Sequence, residues 1–212
     1  MASKLYADNT VRDFTKAVAD PEGMPQGISV LAASAAGMTA IALRAALISK
    51  KERPEGTKDE QLEECIKVLE LARGNMLYLM DDGIRAEQPY KKYAASDLTN
   101  TENVEHFQAS LRVANTIPTD LMYKMQDLSR YLIYLAEEGS QEALDDTAIA
   151  LQLCKSVLHG ARAVILARAQ KMTDDIFAMT IRREAEILFQ ETLPKIDAAL
   201  DTVEERLKRE DP

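Results

Sequence analysis

The sequence predicts an all-α fold, and three observations carry that prediction. Apolar residues recur at three- and four-residue steps along most of the chain. No segment alternates with a period of two beside hairpin turns. The breaks between periodic stretches hold Pro, Gly and capping residues, the usual punctuation of helices. Counting the periodic stretches gives about seven to nine helices in one bundle-like domain spanning residues 1–212. There is no internal repeat, and no linker is long enough to divide the chain.

Thr10 and Asp13 form a capping box opening a short helix, with Val11, Phe14 and Val18 on one face. Asp20-Pro21 ends it. The loop from Pro21 to Ser29 holds two prolines and two glycines, so it turns sharply. Ser29 stands where an N-cap belongs. The block from Val30 to Ser49 then carries eight alanines between Leu31 and Leu47, with Arg44 as its only charge before Lys50. Small side chains on most faces let neighbouring backbones approach, so this helix is the expected packing centre. Its loop end is an expected wall of a site, because the start of a helix presents free N–H groups.

Lys50-Lys51 complement the C-terminal end of that helix. After a loop at Glu52–Gly56, Leu62, Ile66, Leu69, Met76, Leu79 and Met80 mark a helix from about Lys58 to Asp81. Gly74 inside it predicts a close neighbour. Asp81-Asp82-Gly83 closes it, and an irregular or weakly helical stretch holding Pro89 runs to Asp97. Val104, Phe107, Leu111 and Ala114 give the next helix. Pro118 is either a kink or the first turn of another, carried by Leu121, Met125, Leu128, Leu132 and Leu135 to Glu138, with Gly139 at C′. Asp145 or Asp146 caps a helix through Leu153 and Val157 to about Ala169. Thr173 caps the one after it, and Pro194 bends or restarts the chain before a charged terminal helix from Ile196 to about residue 209.

With 46% hydrophobic and 29% charged residues, the chain has the composition of a folded globular domain. A net charge of −9 argues against nucleic acid as a main partner, because phosphate binding needs a basic footprint. Cys65 and Cys154 lie in apolar helical patterns and are expected as buried free thiols. Met1–Tyr6 has no apolar core of a signal peptide. The segment Ile28–Ile48 is long enough to span a bilayer, but its alanines and serines contribute little transfer free energy and no aromatic belt flanks it. It reads as a buried helix, with no membrane partner and a cytoplasmic location expected.

Most catalytic patterns are missing. Two histidines without metal-ligand spacing, no Glu-x-x-His, no phosphate loop and no dinucleotide glycine pattern leave no metal or nucleotide site to predict. The acidic pairs hold more information. Asp81-Asp82 at an expected helix end opposes the macrodipole, and such a local conflict points to function. Asp145-Asp146 begins a helix, where capping accounts for at least one of them.

In order, these pieces resemble the cyclodeaminase/cyclohydrolase family of folate one-carbon metabolism. Pro25-Gln26-Gly27-Ile28-Ser29-Val30-Leu31-Ala32-Ala33 is similar to that family's glycine loop running into an alanine-rich helix. Ser49-Lys50-Lys51 matches the helix end, and Leu79-Met80-Asp81-Asp82 the acidic end of the third helix. Phe107–Leu111 with Thr116-Ile117-Pro118, Gly139, and Asp146–Ala150 continue the resemblance to about Asp175. The departures are Gln26 and Ile28 in place of loop glycines, Val164 and Arg168 in place of asparagines, and Glu52-Arg53 after the lysine pair.

The resemblance implies a tetrahydrofolate derivative as substrate, without metal or nucleotide, and cyclohydrolase or cyclodeaminase chemistry at the bridge between N5 and N10. It implies Asp82, Asp146 and Lys51 as the catalytic set, and Gly27, Ser29, Lys50 and Arg168 as substrate contacts. It also implies a homodimer. A non-catalytic relative that binds folate or a protein, or an enzyme acting on another pterin or amidine, stays open beside this reading.

Overall fold

The computed structural model describes residues 6–208. Among them the structure is all-α and contains no strand. A 3-10 turn at Tyr6–Asp8 precedes α1 (Val11–Val18), α2 (Gly27–Glu52), α3 (Glu60–Ala94), α4 (Thr101–Ala114) and α5 (Thr116–Glu138). A second 3-10 turn, Gln141–Ala143, leads into α6 (Leu144–Ala169), and α7 (Asp175–Lys208) follows. α1 is only eight residues long and buries none of them, so six long helices build the bundle. That is slightly fewer than expected, because two expected breaks do not occur.

The first is at Asp81-Asp82-Gly83. α3 runs through it and through Pro89 to Ala94, because Gly83, Ile84, Ala86 and Glu87 extend its buried stripe. Tertiary burial outweighs the local breakers. The second is at Pro194, which sits inside a continuous α7. Residue 209, the expected end of the terminal helix, lies outside the described residues.

Several caps also differ from expectation. Thr10 does cap α1, accepting from the Asp13 N–H at 3.1 Å. Ser29 does not cap α2: Gln26 holds that position without a side-chain hydrogen bond, and Ser29 lies in the first turn. Asp145 and Asp146 likewise sit in the first turn of α6, after Ala143. Asp174, not Thr173, accepts from the Phe177 N–H at 3.0 Å. Pro118 falls in the first turn of α5. Gly74 has nothing within 4 Å of where a Cβ would stand, so the expected close neighbour is absent.

α2 is the centre of the bundle. Ala32, Ala35, Ala42, Ala45 and Ala46 are fully buried, and the absence of bulk there lets α3 and α6 pack close on either side. Both run antiparallel to it. On α3, Met80 meets Ser29 and Glu63 meets Lys50. On α6, Asp146 meets Arg44, and a Cβ on Gly160 would collide with the Leu31 side chain. α5 and α7 back this layer, α7 tied to α6 by Lys155–Asp197 and Arg162–Glu186, each at 2.7 Å. α4 leans on α3 through stacked pairs, Tyr90–Phe107 and Tyr93–His106. Met38, Leu69, Met76, Leu111, Leu121, Met125 and Leu132 fill the interior.

The C-terminal end of α2 is held by a polar knot. Asp59 caps α3 through the Leu62 N–H at 2.9 Å, and its other oxygen accepts from the Tyr134 hydroxyl and pairs with Arg53, both at 2.7 Å. Ser49 accepts from the Ser140 N–H at 2.8 Å. Cys65 and Cys154 are buried and free, as their apolar surroundings predict, and burial pushes both thiols up to about 12.

Candidate functional site

The two antiparallel neighbours bring one acidic element to the N-terminal end of α2. The Ser29 hydroxyl donates to the Met80 carbonyl at 2.9 Å and is wholly buried in doing so. Three residues on, Gly83 lets the two helices close up: a Cβ there would lie 3.1 Å from Ile28 Cγ2 and 3.2 Å from Ser29 Oγ. Ile28 therefore points inward, filling the space that a glycine would leave open. Gly27 is exposed, with nothing within 4 Å of an added Cβ.

Asp81 follows Met80 and is buried at 7% exposure. Its Oδ1 accepts from the Tyr6 backbone N–H at 2.9 Å, while Oδ2 is buried without a partner. An unpaired buried carboxylate oxygen is costly in a folded protein, and such atoms mark strain or function. The loop before α2 shields this corner. The Tyr6 hydroxyl donates to Met24 O at 3.1 Å, and Lys91 bonds the carbonyls of Glu22 and Gly23.

Asp82 points elsewhere. It is half-exposed and paired with Arg85 one turn along. The sequence could have separated the two aspartates. The buried positions 69, 72, 76, 79 and 80 continue to 83, 84 and 87, so one helix runs through the pair and turns its members to different faces.

The remaining expected residues divide between two ends of the molecule. Gly27, Ser29 and Asp82 are near the N-terminal end of α2. Lys50 and Lys51 are exposed in its last turn, Lys50 paired with Glu63 at 2.7 Å. Twenty-four residues of α-helix separate Gly27 from Lys51, about 36 Å along the axis. Asp146 is buried beside the basic end, paired with Arg44. The fold does not gather these groups at one place.

Arg168 is placed otherwise than its expected role requires. It is buried, donates to the Ala114 carbonyl, pairs with Glu87 and lies over the Tyr90 ring at 5.4 Å. Its charge is engaged inside the protein. Glu87 is 1% exposed, and burial pushes its carboxyl up while the Arg168 guanidinium pulls it down; burial prevails. Its Oε2 and Asn115 Oδ1 have no partner. Nothing in the spacing of the sequence singled out Glu87.

Two surface hollows flank other parts of the bundle, the second of them beside the C-terminal end of α2. One of about 550 Å³ is lined by Leu166, Ile176, Met179, Arg182, Arg183 and Glu186, and one of about 400 Å³ spans Thr57 to Lys67. Neither contains any residue of the expected set. Among the described residues no three His, Cys, Asp or Glu side chains converge as metal ligands would.

Comparison with known proteins places this architecture. Residues 10–187 match the formiminotransferase-cyclodeaminase family. The formimidoyltransferase-cyclodeaminase of Rattus norvegicus is 26% identical over 203 residues, which are 94% of this chain and 38% of that protein. Its Mus musculus counterpart is 25% identical over the same span. The chain thus spans well under half the length of these relatives. A formiminotetrahydrofolate cyclodeaminase from Thermotoga maritima shares the fold, with a TM-score of 0.77 over 95% of this chain and 96% of the other at 23% identity. The match over residues 10–187, most of the chain, assigns it to the formiminotransferase-cyclodeaminase family.

Proposed function

We propose that the chain is an enzyme of folate one-carbon metabolism that forms or opens the N5–N10 methenyl bridge of tetrahydrofolate. The observation that carries this reading is Asp81, a buried carboxylate with one oxygen unpartnered, beside the first turn of α2. In the cyclodeaminase direction, N10 attacks the formimino carbon of 5-formimino-tetrahydrofolate. The new C–N10 bond forms, and N10 gives up its proton. The former imine nitrogen takes up protons and leaves as ammonia, and the ring closes as the methenyl cation. One carboxylate can accept the N10 proton and return it to the departing nitrogen. Asp81 has that role here, and Gly27 leaves the approach to the first turn of α2 open. In the cyclohydrolase direction, water attacks the bridge carbon, the carboxylate takes a proton from it and passes it to N5 as the C–N5 bond breaks, and the second water proton is released, leaving the formyl group on N10.

The names of the relatives favour the first direction. The inward Ile28 favours a second reading, in which the corner is too filled for turnover and the chain binds folate without transforming it. Absorbance of the methenyl product, followed with 5-formimino-tetrahydrofolate as substrate, decides between them. Enzyme-dependent appearance of methenyl-tetrahydrofolate supports the enzyme. Folate binding by calorimetry without turnover in either direction would leave only the binding protein.

A further inference from the structure

α7 packs against α5 and α6 and leaves its outer ridge uncovered. Ile176, Met179, Arg183 and Ile187 recur along that ridge at three- and four-residue steps, so they share one helix face. Ile176 is 81% exposed, Met179 68% and Ile187 45%. Two hollows flank the ridge. One, of about 550 Å³, lies on the α6 side, where Leu166 meets Ile176, Met179 and Arg182. The other, of about 460 Å³, lies on the α5 side against Tyr123 and Gln126. Thr180 and Arg183 border both. We propose that this ridge docks an acidic amphipathic helix of a partner protein, its apolar side chains entering the hollow beside Met179 and its carboxylates meeting Arg182 and Arg183.

The charges select the occupant. Arg182 and Arg183 make no ion pair or hydrogen bond among the described residues. The carboxylates lining the same hollows are all engaged. Glu186 pairs with Arg162 at 2.7 Å, Glu191 accepts from Gln126 Nε2 at 3.1 Å, and Glu184 accepts from the Tyr123 hydroxyl. The ridge therefore presents two uncompensated positive charges on a chain whose net charge is −9. At physiological salt, screening over about 8 Å confines the electrostatics of a bound peptide to its near neighbours, so these arginines outweigh the distant negative charge. A guanidinium also takes a carboxylate through two parallel hydrogen bonds. A run of exposed apolar side chains rimmed by polar ones marks an interaction surface. A helix fills such a groove with residues at i, i+3 or i+4, and i+7.

Other occupants fit worse. A second copy of the chain, paired two-fold about the ridge, sets Arg183 against its own counterpart, a like-charge contact that opposes binding. An anionic bilayer would press its headgroups on Glu184, Glu186 and Glu191, and a flat surface would span the hollows without filling them. The ridge shares no residue with the Asp81 corner: the one belongs to α7 and the other to α3 and the start of α2. Docking on it does not depend on turnover at Asp81.

Binding of labelled peptides, followed by fluorescence anisotropy, tests the proposal. One peptide is an acidic amphipathic helix, with Leu and Phe along one stripe and Glu beside it. A second carries Lys in place of each Glu, and a third is the first with its order scrambled. The wild-type chain is expected to bind the first at least about tenfold more tightly than either of the others, with affinity falling as salt rises. Arg182→Glu combined with Arg183→Glu is expected to reverse the preference toward the lysine peptide. Met179→Ala is expected to weaken the acidic peptide about tenfold. Neither variant removes a core side chain, so urea midpoints are expected to stay near that of the wild type. No binding of the acidic peptide, equal binding of the scrambled one, or equal binding by the charge-reversed variant overturns the proposal. Phosphatidylserine vesicles that bind the wild type and not the charge-reversed variant also overturn it and give the ridge to a membrane. A smaller oligomer for Met179→Glu by light scattering overturns it as well and gives the ridge to a second copy.

Discussion

The Tyr6 backbone N–H donates to Asp81 Oδ1 at 2.9 Å and leaves Oδ2 buried with no partner. A single donor from a 3-10 turn thus orients the carboxylate and leaves its second oxygen without a hydrogen bond. Asp82, the next residue, has Arg85 on its own helix face and is half-exposed. The two side chains differ by one position and by the whole of their environment. Asp81→Asn is expected to lower turnover by about 100-fold or more, the usual worth of a positioned acid–base group. Asp82→Asn is expected to leave it within a few-fold. Steady-state rates on methenyl formation check this, and the opposite order would return the role to Asp82.

Gly83 sets how closely α3 approaches α2. A Cβ there stands 3.1 Å from Ile28 Cγ2, tighter than ordinary van der Waals contact. Gly83→Val is expected to destabilise the fold by about 1–3 kcal/mol through overpacking. Ile28→Ala in the same chain is expected to recover part of that loss, because the two side chains compete for one space. Urea unfolding of the two single variants and the double variant measures the coupling; strict additivity would show that they do not meet.

Much of this frame was legible in the sequence, and the reasons are physical. The alanine block of α2 was readable because small residues at every face have few other uses in a helix of 26 residues. The site was less readable, because Asp81 and Asp82 carry the same chemistry and only the register of α3 separates them. That register was masked by Gly83 and Pro89, which read as breakers until the buried Ile84, Ala86 and Glu87 are seen to continue the helix. Ser29 was misplaced as a cap for a similar reason: its hydroxyl serves Met80 across the helix pair, a contact 51 residues distant in sequence. Arg168 was expected as a substrate contact because nothing local in the sequence reveals Glu87 as its partner.

Breaking the Arg168–Glu87 pair should be costly. The side chains are 9% and 1% exposed, so removing either strands a charge in a poorly solvating interior. Arg168→Ala is expected to cost about 3–5 kcal/mol in unfolding free energy. Arg168→Met with Glu87→Leu is expected to regain most of it, since no unpaired charge is left. A double variant less stable than Arg168→Ala would mean that the pair contributes more than mutual neutralisation.

Both thiols are shielded by burial, which holds them near 12 and keeps them protonated at neutral pH. The native chain is expected not to react with a disulfide reagent at pH 8, and to release two equivalents of chromophore once unfolded in guanidinium. Labelling rate against denaturant then reports opening of the core. Fast native labelling of one thiol would place that part of the core in a locally unfolding segment.

The knot at the far end of α2 gives stability a pH dependence with a definite sign. The Tyr134 hydroxyl, above all, holds the Asp59 carboxyl below its usual value, helped by the Leu62 N–H and the Arg53 charge against the opposing effect of burial. A carboxylate whose folded value is depressed binds fewer protons in the native state than in the unfolded chain. Its stabilisation is therefore complete above the unfolded value, about 4, and is lost as pH falls through the lower folded value. Asp59→Asn keeps an oxygen for the α3 cap but loses the charge toward Arg53. It is expected to cost about 1 kcal/mol at neutral pH. The gap between variant and wild type should close as pH drops from about 4 toward the acid limit, because the wild-type carboxyl then becomes neutral as well. Urea midpoints measured across that range decide the matter: a constant gap would show that Asp59 acts through packing and the cap, not through its charge.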